Sequence, residues 1–93
     1  MRKEDLTATL QQNHPPKNYS VCLKALWYDA KGDWNAAHEL INDLSDLQAA
    51  RVHAYLHRKE GDSGNAAYWY RRAGQVYPDL SLDEEWSAIV ADL

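Results

Sequence analysis

Apolar residues recur along this chain with the period of an α-helix, and no stretch shows the period of two that a half-buried strand requires. From Asn18 to Lys31, Val21, Ala25 and Tyr28 form one stripe, and Leu23, Leu26, Trp27 and Ala30 form its neighbour. A helix apolar over so much of its surface packs on more than one side. Gly32 ends it, and Asp33 can cap the next helix through its carboxylate. That helix, Trp34 to Leu44, carries Ala37, Leu40, Ile41 and Leu44 at helical spacing. Ser45 followed by Gln48 fits a capping box, so a third helix is predicted from about Asp46 to Glu60. Gly61-Asp62 repeats the earlier turn, and a fourth helix, Ser63 to about Val76, stops before Pro78. A second capping box, Ser81 with Glu84, opens a last helix over 82–92 with Leu82, Trp86 and Ile89 on one face. Upstream, Leu6 and Leu10 alone support a marginal helix over 3–12, which His14-Pro15-Pro16 ends. The expectation is an all-α fold. Residues 1–17 are an extension, and 18–93 a single domain of hairpins 18–44 and 46–77 with a capping helix.

An offset of 29 residues lays Gly32-Asp33 on Gly61-Asp62, Ala37 on Ala66, Ile41 on Tyr70 and Ala25 on Ala54. One helical hairpin is thus written twice. Small residues at Ala54 and Ala66 would let two helices approach closely, with Tyr70 filling the gap. GDSGNAAYWYRRAG with Pro78, and KGDWNAAHELI before it, resemble the second half of a tetratricopeptide (TPR) unit. The resemblance covers roughly residues 18–80 and implies two TPR-like hairpins of the right-handed α-α superhelix type. The departures are the short offset, His57 where a TPR usually has Tyr, and Ser63 where an aromatic is usual. HAYLHRKEGDSGNAAYWYRRAG is also similar to small bacterial and fungal proteins that have no assigned function. Two repeats are few for a solenoid, so the last helix, or a second copy of the chain, is expected to complete the core.

Composition adds two things. First, 45% hydrophobic and 26% charged residues in 93 suit one small globular domain. The N-terminus has no apolar signal region, and no run is long enough to span a bilayer, so a cytoplasmic location is the expectation. Second, charge is segregated within a net −4. Residues 51–72 hold five basic against two acidic side chains, and 79–93 hold five acidic and no basic. Gln48, Arg51, Tyr55, Arg58 and Lys59 give the third helix a basic stripe with one ring in it. The TPR resemblance implies that this stripe faces a concave groove, with Leu26 contributed by the first unit. The partner expected there is a protein or peptide with an acidic segment, gripped by Arg. The stripe could equally be paired with the chain's own acidic tail, and both readings stand at this point. A homodimer completed through Leu82, Trp86 and Ile89 is the alternative function.

Other chemistry is thin. His53, His57 and Glu60 share one face of the third helix. A half-buried, hydrogen-bonded pair is expected, with metal ligation as the alternative. His14 and His38 stand alone and suggest nothing further. Tyr68-Trp69-Tyr70-Arg71-Arg72 could stack on nucleobases, but the acidic total and the short basic block weigh against nucleic acid. There is no GxSxG, no phosphate-cradling glycine loop and no CxxC, and Cys22 is the lone cysteine. Neither enzyme activity nor a cofactor is expected.

Overall fold

The computed structural model describes residues 1–93 as six helices without a strand. They are α1 (Lys3–Thr7), α2 (Val21–Ala30), α3 (Trp34–Ile41), α4 (Leu47–Glu60), α5 (Ser63–Arg72) and α6 (Leu82–Asp92). None is long and apolar enough to cross a membrane. The closest packing joins α2 to α3 and α4 to α5, each pair connected by one of the repeated Gly-Asp turns.

The two turns are the same object at the level of single atoms. Gly32 and Gly61 adopt φ of 86° and 90°, the left-handed region in which a side chain is disfavoured. The amide after each glycine reaches back to the helix: Asp33 N–H donates to Tyr28 O and Asp62 N–H to His57 O, both at 2.9 Å. With the bonds from Gly32 N to Asp29 O and from Gly61 N to Arg58 O, these are paired Schellman motifs that satisfy the last carbonyls. Each Asp then caps the next helix, accepting from Ala36 N and from Asn65 N. Gly74 (φ 68°) builds a third such stop, with Gln75 N–H bound to Tyr70 O. That is why α5 ends at Arg72, four residues short of the predicted Val76. The start of α4 is also corrected: its cap is Asp46, accepting from Ala49 N, rather than Ser45. Both residues can cap, and the one adjacent to the first buried turn wins. The capping box at Ser81 and Glu84 forms as expected, with both reciprocal bonds made.

One main core runs through the molecule, with Leu6, Leu26, Trp27, Ile41, Val52, Leu56, Ile89 and Val90 among its buried members. Ala54, Ala66 and Tyr70 form a second cluster where α4 and α5 meet. The N-terminal residues belong to the main core. Leu6 is fully buried, Trp27 Nε1 donates to Thr9 Oγ1 at 3.1 Å, and Lys31 Nζ donates to Leu10 O at 2.6 Å. Met1 N donates to Val90 O. Only five residues of 3–12 are helical, yet long-range contacts at Leu6, Thr9, Leu10 and Gln12 anchor the stretch. Two other indoles bridge elements in the same manner, Trp34 Nε1 to Leu56 O at 2.8 Å and Trp86 Nε1 to Leu26 O at 3.2 Å. Tryptophan suits these seams because it fills volume while its N–H ties one backbone to another.

Candidate functional site

Of the residues expected to floor a groove, Leu26, Arg51, Tyr55 and Arg58 lie along the α2/α4 surface on which α6 packs. Leu26 is fully buried, so an outside ligand cannot touch it without moving α6, and Tyr55 is only 2% exposed. Arg51 Nη1 meets Asp92 Oδ2 at 2.6 Å, and Arg58 Nη1 meets Glu85 Oε1 at 2.8 Å. Arg58 Nη2 also donates to Leu80 O. Lys59 Nζ lies 2.9 Å from Asp29 Oδ1. Gln48 is exposed and stands outside this network. The basic stripe is thus paired within the chain, by the acidic last helix and by Asp29. Leu82, Trp86 and Ile89 pack on the same chain's core, which uses the surface the homodimer alternative needed.

Two carboxylates carry the arrangement. Asp29 is 3% exposed and accepts from Tyr55 Oη at 2.9 Å as well as from Lys59. Glu85 is also 3% exposed and accepts from Tyr70 Oη at 2.5 Å as well as from Arg58. Each buried anion has one phenol and one cation, which is what a carboxylate needs to stay charged away from water. Burial and the neighbouring carboxylates push the Tyr55 hydroxyl strongly upward, Asp29 foremost among them. Burial and the Glu85 hydrogen bond do the same to Tyr70. Both phenols therefore remain donors at any ordinary pH. Where the stripe still meets solvent, a cleft of about 270 Å³ opens beside α6, lined by Asp29, Tyr55, Lys59, Asp83 and Trp86.

A second assembly sits on the opposite side of α4. His53 and His57, one helical turn apart, are met by His38 from α3. His38 Nε2 and His53 Nε2 are 3.1 Å apart, and one ring nitrogen from each of the three lies within 4.8 Å of the other two. Trp34 stacks on His38 at 4.8 Å between centroids, and Trp69 stacks on His53 at 4.0 Å. His57 Nδ1 is 2.6 Å from Glu60 Oε1. An ionised carboxylate only accepts, so Nδ1 carries a proton and donates it. Burial, followed by repulsion from His38 and His57, lowers His53 to about 4. Burial and His57 also lower His38, against a smaller opposing pull from Glu60 and Glu39. His53 Nδ1 is buried with no partner.

His38 suggests nothing from its position in the chain, and only the docking of α3 on α4 brings it to the pair. Glu60 touches His57 through the ring's Nδ1. His14 is not part of the cluster.

The remaining candidates are occupied locally. Arg72 lies over Tyr68 and Trp69, 5.7 and 5.2 Å from their centroids, and donates to Tyr68 Oη. Cys22 is 3% exposed; burial, helped by Asp46, pushes its thiol up to about 11. A thiol that stays protonated at neutral pH is a poor nucleophile.

No family model, curated protein or solved structure matches this chain. Function must therefore be argued from the two faces of α4.

Proposed function

We propose that the chain is a TPR-like protein–protein interaction module whose α2/α4 groove takes an amphipathic helix bearing acidic residues. The observation that supports this is the buried Arg58–Glu85 pair, in which a helix of that chemistry meets the basic stripe. The occupant is the chain's own α6, with Trp86 and Ile89 toward the apolar floor and Glu85 and Asp92 toward Arg58 and Arg51. This is helix-in-groove recognition with charge fixing the register. A partner helix of the same pattern competes with α6. Tethering gives α6 an effective concentration in the millimolar range, so a partner must bind well or meet a chain whose α6 is loosened. No reaction is part of this reading.

The test uses a labelled peptide with the sequence of residues 79–93 and the full chain carrying Trp86→Ala, which weakens α6 docking. Fluorescence anisotropy should show saturable binding to the variant and much weaker binding to the wild type. A peptide with Lys in place of Glu85 should bind the variant less. Equal binding of the two peptides, or none by a variant that circular dichroism shows folded, refutes the groove assignment.

A further inference from the structure

The histidine cluster on the far side of α4 is independent of the groove. His38 Nε2 and His53 Nε2 face each other at 3.1 Å, and a ring nitrogen of His57 lies within 4.8 Å of the cluster's other two. His57 Nδ1 is held by Glu60, and no protein group bonds its Nε2. His53 is 97% buried; its Nε2 makes the His38 contact and its Nδ1 has no hydrogen-bond partner. A buried ring nitrogen left without a partner is costly in a folded interior.

A divalent cation can take one facing nitrogen from each of the three rings. We propose that His38, His53 and His57 form a three-imidazole site for a first-row transition metal, Zn²⁺ foremost, with Glu60 orienting His57. Zinc–nitrogen bonds of about 2.0–2.1 Å in a tetrahedron put neighbouring ligand atoms about 3.3 Å apart. The His38–His53 separation of 3.1 Å is close to that value, and the limit of 4.8 Å to the third ring leaves a small adjustment. His38 is half-buried and the outermost of the three, so it can make that movement and admit the ion. The Glu60–His57 contact is the carboxylate–histidine arrangement that sets tautomer and ring orientation at zinc sites. An all-nitrogen donor set suits Zn²⁺, Cu²⁺ or Ni²⁺ and disfavours Mg²⁺ and Ca²⁺. Glu39, Glu60 and Asp62 supply negative charge nearby. Water completes the fourth position. Bound there, the ion ties α3 of the first hairpin to α4 of the second.

The test is a competition titration of the chelator-treated full chain with ZnCl₂ against a chromophoric chelator. The expected result is one Zn²⁺ per chain. Glu60→Gln should lower the affinity roughly 10–100-fold. His38→Gln should lower it further, while His14→Gln leaves it unchanged. Glu60 lies at the surface, so its variant remains interpretable if His38→Gln unfolds. Absence of stoichiometric binding overturns the proposal, as does unchanged affinity in folded Glu60→Gln or His38→Gln protein. A loss of binding in His14→Gln equal to that in His38→Gln also overturns it.

Discussion

Arg51 and Arg58 occupy one stripe and both pair with α6, yet their removal should have very different consequences. Glu85 is 4% exposed in its side chain and Arg58 18%, so Arg58→Ala strands a carboxylate in the interior. Breaking a buried pair from one side typically costs about 3–5 kcal/mol. Tyr70 still donates to Glu85 Oε2, which argues for the lower end, near 3 kcal/mol. For a domain of this size each kcal/mol shifts Tm by about 4–8 °C, giving a drop of roughly 12–24 °C. Asp92 is 66% exposed, and an exposed pair contributes about 0.2–1 kcal/mol, so Arg51→Ala should lower Tm by less than about 8 °C. Thermal melts by circular dichroism at one ionic strength compare them directly. In Arg58→Ala/Glu85→Ala the cavity remains but the stranded charge is gone, so the double variant should melt above the sum of the single losses. If Arg58→Ala melts within about 2 °C of Arg51→Ala, or the cycle shows no coupling, the buried pair is not what holds α6. The same numbers make Arg58→Ala a poor probe of ligand binding, because it weakens the chain's own helix first.

Two further outcomes follow from local geometry. Gly61→Ala places a side chain at φ 90° where its Cβ would meet nothing within 4 Å, so the cost is conformational, about 1–2 kcal/mol, and Tm should fall accordingly; an unchanged melt would mean the left-handed stop does not set α4's end. In metal-free buffer, stability should fall as pH drops from about 6.5 toward 4, because the unfolded chain protonates His53 while burial and two neighbouring imidazoles keep the folded ring neutral until about 4. Below that the loss levels off for this residue. His53→Phe keeps a ring on Trp69 without titrating, so its Tm difference between about pH 7 and about pH 4.5 should be smaller than the wild type's; equal differences refute the assignment.

Local chemistry governs the features that are legible in the sequence. The Gly-Asp turns, the Ser81 box and the close approach at Ala54 and Ala66 each depend on residues near in sequence, and all are present. Helix ends are misread where two signals compete. Gly74 stops α5 before Pro78 can, and Asp46 caps α4 in place of Ser45. The basic stripe and the acidic tail are both visible as charge. Deciding that they meet requires the path of α6, which no local rule gives. His38 illustrates the same limit: it is 15 residues from His53, and its role exists only once α3 lies against α4. The anchoring of Thr9 by Trp27 spans 18 residues and is equally out of reach of local pattern.

The four tryptophans are spread over different seams. Trp27 watches the N-terminal segment, Trp34 the junction of the two helix pairs, Trp69 the stack on His53, and Trp86 the seat of the last helix. Intrinsic emission from this chain is therefore addressable by region. A set of single-tryptophan variants would resolve, without any external label, whether the last helix lifts away before the rest of the molecule loosens.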